Sequence, residues 1–243
     1  MINNNISQKD SDAKKGDESV LKRRLFLRSA GIATAVGTLA IGACKDDDDD
    51  MVTPPAGTVD LGKDDVGILN YAYALEQLEA AFYEQVVKTP YTGITAAETT
   101  ILTDIRDHEI IHRDFFKAAI TGATNNVLPT LEFQYPNVNF NDRSSVLATA
   151  KALEDTGVAA YNGAGRYITN PTYLVLAGKI VSVEARHASA IRDLINPLTA
   201  AFSGDDVVDP VTGLDVAKEP KDVVMAAGGF IKTPFTWKER GIN

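Results

Sequence analysis

The chain is short of the residues that staple, span or grip. It has 243 residues and one cysteine, Cys44, so no disulfide can form within a single chain. Basic side chains are outnumbered, with 24 Lys and Arg against 33 Asp and Glu and a net charge of −9. That balance argues against an electrostatic hold on nucleic acid or anionic lipid headgroups. The apolar run from Ala30 to Ala43 stops short of the ~20 residues that a membrane-spanning helix needs. Clean helical periodicity is missing from Ser203 onward, where Pro210, Pro220 and Pro234 break the pattern. Phe230, Phe235 and Trp237 in that stretch are expected to pack against the folded part, with a partner-binding surface as the alternative.

What is present begins with a leader. Lys22-Arg23-Arg24-Leu25-Phe26-Leu27-Arg28 resembles a twin-arginine export signal, and Ile41-Gly42-Ala43-Cys44 resembles a lipobox. The expectation is a signal peptide over 1–43, lipidation at Cys44, and membrane attachment through lipid. A twin-arginine signal implies export in the folded state, which suits a protein that takes up metal in the cytoplasm. The expected location is the cell envelope, on its periplasmic or surface face. Lys45 and Asp46 to Asp50 form a run that cannot bury itself, either an inert spacer or a surface-export signal. With Thr53-Pro54-Pro55-Ala56-Gly57 it makes a linker over 44–63. Loss of residues 1–43 removes seven basic and four acidic side chains and moves the net charge from −9 to −12.

One spacing occurs twice in the remainder. Glu76 precedes Tyr83 by seven residues, and Glu109-Ile-Ile-His112 follows; Glu154 precedes Tyr161 by seven, and Glu184-Ala-Arg-His187 follows. Each of the four groups lies on a stripe of apolar residues alternating at three and four, the mark of a bundled helix. The stripes run Leu69, Ala72, Glu76, Glu79, Tyr83, Val86; then Leu102, Ile105, Glu109, His112, Phe116, Ala119. The third runs Leu147, Ala150, Glu154, Gly157, Tyr161, Ala164, Ile168, and the fourth Tyr173, Ala177, Ile180, Glu184, His187, Ile191, Leu194. The connections are short around Thr89 to Gly93, long from Thr121 to Asp142, and short again at Asn170-Pro171. That order predicts an all-α, four-helix bundle over 64–203 with one crossover between its second and third helices, and an extension over 204–243.

Carboxylates in the middle of apolar stripes need a reason. A buried, unpaired carboxylate costs several kcal/mol, and four meeting in one core need counter-charge. Two divalent cations would offset four glutamates, and one Glu from each of two helices with a Glu-x-x-His from each of the others is the donor set of a two-metal site.

From about Asp64 to Phe202 the chain resembles the ferritin-like superfamily and, within it, the desiccation-related group of bacterial and plant proteins. Asn70-Tyr-Ala-Tyr-Ala-Leu-Glu76-Gln-Leu-Glu79-Ala-Ala-Phe-Tyr83 is similar to that group's first helix, and Glu184-Ala185-Arg186-His187-Ala188 to its fourth. The resemblance implies a ferritin-like fold and Glu76, Glu109, His112, Glu154, Glu184 and His187 as metal ligands, with Glu109 and Glu184 bridging. Tyr83 and Tyr161 would stand behind the ligands, because seven residues is two turns and returns to the same face. Glu79 shares the first stripe, and its counterpart is Gly157. It is expected either as an extra ligand or as a peripheral carboxylate paired with Arg or Lys.

The metals implied are two iron ions, with manganese or a mixed Mn/Fe pair as alternatives, and O2 or peroxide as the reactant. Ferrous oxidation, peroxide removal and protection against oxidant stress all follow from that pairing. The competing reading is a non-catalytic, desiccation-related structural protein whose metal only stabilises the bundle. A third reading comes from His108-Glu109-Ile-Ile-His112, which spells the HExxH signature of a zinc metalloprotease. It leaves Glu76, Glu154, Glu184 and His187 without a role, so His108 is expected to flank the ligand stripe and point about a quarter-turn away. A monomer or dimer, rather than a storage cage, suits a lipid anchor and an acidic tether.

Overall fold

In the computed structural model, residues 55–242 are described. The leader, Cys44 and the acidic run lie outside the described residues. Four long helices dominate: α1 (Asp64–Lys88), α2 (Ala96–Ala123), α3 (Arg143–Gly165) and α4 (Pro171–Ile195). A short strand, β1 (Val59–Asp60), precedes them. The short helix α5 (Pro220–Ala227) and a second strand, β2 (Phe235–Thr236), follow. The architecture is the expected all-α four-helix bundle with one long crossover, from 124 to 142, between α2 and α3. Among the described residues no helix is long and apolar enough to cross a membrane.

Local chemistry sets the helix ends. Thr95 and Glu98 form a capping box at the start of α2, each side chain satisfying the other's backbone N–H. Asp142 accepts from Ser144 N–H to open α3, and Asn170 accepts from Thr172 N–H with Pro171 in the first turn of α4. The α3–α4 loop is held from outside its own hairpin: Asp65 at the start of α1 accepts from Thr169 N–H at 2.7 Å and Asn170 N–H at 2.8 Å.

α1 packs on α2 and α3 on α4 as two hairpins, with α1 against α3 and α2 more thinly against α4. More than the others, α1 is buried around its circumference. Its outer face carries Asn70 and Gln77, two turns apart, and both side-chain amides hold the crossover. Asn70 donates to Asn126 O at 2.7 Å and accepts from Leu128 N–H at 3.1 Å; Gln77 accepts from Leu131 N–H at 2.9 Å. These bonds satisfy crossover backbone that would otherwise be buried unpaired.

The C-terminal extension lies on the bundle. α5 packs on α3, and Lys218 N–H bonds Ala159 O at 2.9 Å, an approach open only because residue 163 is glycine, where a Cβ would collide with the Lys218 backbone. Trp237 is fully buried with its ring 5.4 Å from that of Tyr71. One expectation needs correcting. The segment 44–63, read as linker throughout, joins the fold at its end: β1 pairs in parallel with β2, and Leu61 is fully buried. A two-residue strand is too short to show an alternation, so only its partner reveals it.

Candidate metal centre

Each long helix contributes to one buried cluster at mid-bundle. α1 supplies Glu76, α2 Glu109 and His112, α3 Glu154, and α4 Glu184 and His187. All four glutamates are fully buried, and both histidines nearly so. The structure thus brings together all six residues that the spacing singled out. The imidazole Nδ1 of His112 lies 2.8 Å from Glu184 Oε1, 3.4 Å from Glu76 Oε2 and 3.6 Å from Glu109 Oε2. On the other side, His187 Nδ1 lies 2.7 Å from Glu109 Oε1 and 3.6 Å from both Glu154 Oε2 and Glu184 Oε2.

These contacts fall into two groups of donor atoms, Glu76, Glu109, His112 and Glu184 in one, and Glu109, Glu154, Glu184 and His187 in the other. Within each group the atoms lie within 4.8 Å of one another, and Glu109 and Glu184 belong to both. The same atoms are buried without a hydrogen-bond partner: Glu76 Oε2, Glu154 Oε2, both oxygens of Glu109 and of Glu184, and Nδ1 of each histidine. Close approach without hydrogen-bond geometry is what donor atoms converging on a shared point display. Orphaned buried polar atoms are costly, so a set this concentrated is a site that could hold a metal ion.

The remaining oxygens of Glu76 and Glu154 are satisfied, and by crossed partners. Tyr83 on α1 donates to Glu154 Oε1 on α3 at 2.6 Å, while Tyr161 on α3 donates to Glu76 Oε1 on α1. Residue numbers in the two pairs sum to the same value, as antiparallel helices require. The pairs Glu109–His187 and His112–Glu184 obey the same rule for α2 and α4. Each tyrosine therefore serves the glutamate of the other hairpin, because its own lies two turns, about 10 Å, along the axis.

Electrostatics reflect the crowding. Burial opposes charge on His112, yet Glu109, Glu184 and Glu76 push it up to about 12. His187 is raised likewise, against its own burial, by Glu109, Glu154 and Glu184. Burial would lift Glu109, but the two imidazoles outweigh it and bring it down to about 2. Glu154 is pushed up to about 8, chiefly by burial, and Glu76 is raised by burial and by Glu184. Tyr83 and Tyr161 are raised by burial and by their glutamate partners, which keeps both hydroxyls as donors.

Two neighbours depart from expectation. Glu79 is buried, and the charges it feels are those of Glu109, Glu154, Glu184 and Glu76, with no Arg or Lys among them. The expected pairing with a basic side chain is not formed; burial, then those like charges, hold its carboxyl well above the usual range. Its Oε1 sits 3.0 Å from where a Cβ on Gly157 would be, so the missing side chain on α3 makes its room. His108 was assigned no contact by the sequence. Its Nδ1 lies 2.9 Å from Nε2 of His187, and the two near-parallel rings meet edge to edge with centroids 5.2 Å apart. His108 and His112 therefore do not converge on one ion, as the HExxH reading requires. The sequence had marked His108 only through that signature, not through any contact with His187.

Beside the cluster, Tyr161 also lines an apolar cleft of about 20 Å³ with Ile68, Leu75, Phe116 and Ala177. A family model described as a ferritin-like domain matches residues 64–197. A search of curated proteins found no match.

Proposed function

Because the chain belongs to the ferritin-like domain family, we propose that its buried cluster holds a carboxylate-bridged pair of metal ions, iron before manganese or a mixed Mn/Fe pair. Its role in this reading is ferrous oxidation or peroxide removal in stress protection. The observation that carries it is the set of orphaned buried donor atoms, divided into two groups that share Glu109 and Glu184. Glu76 and His112 would complete the shell of one ion, Glu154 and His187 that of the other, and Glu109 and Glu184 would give one oxygen to each. Carboxylate oxygens with one imidazole nitrogen per ion suit iron(II) and manganese(II). When bound, a pair of iron ions supplies two electrons together to O2 or peroxide.

The chain's own part is to hold, orient and exclude. Tyr83 and Tyr161 fix Glu154 and Glu76 by their outer oxygens, leaving Oε2 of each turned inward. Glu109 and Glu184 carry no hydrogen bond on either oxygen and are the carboxylates free to shift. Burial keeps bulk water from the cluster. The adjoining cleft is small and apolar and fits an uncharged diatomic or peroxide better than a charged organic substrate.

Two further parts of the proposal rest on sequence alone: kinship with the desiccation-related group, on residues 70–83 and 184–188, and twin-arginine export with a lipid on Cys44. Replacing Cys44 with Ala should release the protein from the membrane fraction; retention there would count against the anchor. For the centre itself, protein loaded in the cytoplasm is assayed for metal, then given ferrous iron anaerobically and exposed to oxygen under optical monitoring. About two ions per chain and oxygen-dependent growth of a ferric near-ultraviolet band are expected. Fewer than one ion per chain, with no effect of Glu109→Ala, would overturn the reading. Two ions with no turnover, and only a raised melting temperature, would assign the metal a purely stabilising role.

A further inference from the structure

We propose that His108 is a positioning residue that makes the two halves of the centre unequal, so that the half containing His187 takes up a divalent cation more tightly than the half containing His112. This inference rests on the two-ion reading above and adds to it a residue outside the six donors.

Nδ1 of His187 faces carboxylate oxygens of Glu109, Glu154 and Glu184 at 2.7 to 3.6 Å, and only a bare Nδ1 can bind a cation there. The ring proton must then sit on Nε2, which is 2.9 Å from Nδ1 of His108. His187 Nε2–H therefore donates to His108, and the small angle of 11° between ring planes, with the rings edge to edge, keeps the bond in the plane of both. Fixing the ring angle in advance, with Nε2–H already directed at His108, removes an ordering cost from cation binding. The other hairpin lacks the device, since the residue preceding Glu184 is Val183, whose side chain offers no acceptor. His108 is itself exposed, so replacing it leaves the core intact.

The test is an anaerobic Co(II) titration read by visible absorption, on wild type, His108→Phe and His108→Asn. Phe keeps a planar ring without an acceptor; Asn restores an acceptor near the position of Nδ1. Wild type should bind two Co(II) in two resolved steps. H108F should still bind two but lose about 10-fold or more in the tighter step alone, and H108N should recover most of that loss. In the Zn(II)-loaded protein, nitrogen-15 NMR should place the His187 proton on Nε2 and show it hydrogen-bonded to His108, a signature that H108F should lose. An H108F titration like wild type, equal weakening of both steps, or failure of H108N to rescue would overturn the positioning role while leaving the two-ion reading intact. Wild type that bound no Co(II) would overturn both.

Discussion

The hairpin α1–α2 and the hairpin α3–α4 carry the same spacing of Glu, Tyr, Glu and His, yet they are set into the molecule differently. α1 is enclosed nearly all round, by the crossover on one side and its neighbours on the others. α4 buries a single stripe and leaves Leu174 and Val175 exposed. The donor atoms nevertheless match in pairs about the cluster, down to the crossed tyrosines. The difference teaches which positions are tied to the site and which are not. Donors and tyrosines are duplicated because each half completes the other. Glu79 against Gly157, and His108 against Val183, sit one turn or one residue away and differ between the halves.

The largest break in this near-symmetry should come from the shared carboxylates. Glu109→Ala or Glu184→Ala removes a donor from both groups, so elemental analysis should find both ions lost. Glu76→Ala or Glu154→Ala should weaken one ion and spare most of the other. Equal loss from all four variants would argue against two distinct halves. Loss of both ions should also lower the melting temperature, since a ligand at 100 times its Kd adds about 2.7 kcal/mol to stability.

Next is the tie between hairpins at Glu98. Burial alone would raise its carboxyl, but bonds from Thr95 and from Arg143 Nε at 2.6 Å bring it down to about 2. A carboxyl depressed in the folded state adds stability that is full above about 4.5 and is lost as pH falls towards 2. Glu98→Ala should cost about 2 kcal/mol at pH 7, and the gap from wild type in urea unfolding should narrow across that window. A pH-independent gap would count against the ion pair.

Glu79 should behave in the opposite sense. Its carboxyl is raised in the folded state, so the metal-free protein holds a proton that the unfolded chain releases above about 4.5, and stability falls as pH rises. Glu79→Gln removes that penalty. The variant should be more stable than wild type at pH 8 by about 1 kcal/mol or more, and the two should converge near pH 4. The smallest effect sharpens the symmetry rather than breaking it: Val183→His supplies an imidazole beside the other half and should tighten the weaker Co(II) step a few-fold.

Much of this was legible in the sequence because helical spacing does two tasks at once. The alternation at three and four that buries Leu102, Ile105 and Phe116 also aims Glu109 and His112 at the same seam. The four helices, the crossover and the meeting of six donors follow from it. What depends on the approach of separate elements was not legible. His108 reaches His187 only because α2 and α4 run antiparallel side by side, and the tyrosines serve opposite hairpins for the same reason between α1 and α3. Asn70 and Gln77 find their partners only in the crossover backbone that lies against them. Glu79 left two readings open, an extra ligand or a carboxylate paired with Arg or Lys, and only its burial against Gly157 shows that no basic partner reaches it.

The pairing of β1 with β2 has a mechanical consequence. Val59 N–H bonds Pro234 O, and Leu61 N–H bonds Thr236 O, both at 2.9 Å. A pull on the chain ahead of residue 59 meets this clasp before it reaches α1, and parallel strands pulled along their length resist in shear. The load passes to the segment anchored by Trp237, and the helices that carry the cluster are spared until the clasp gives way.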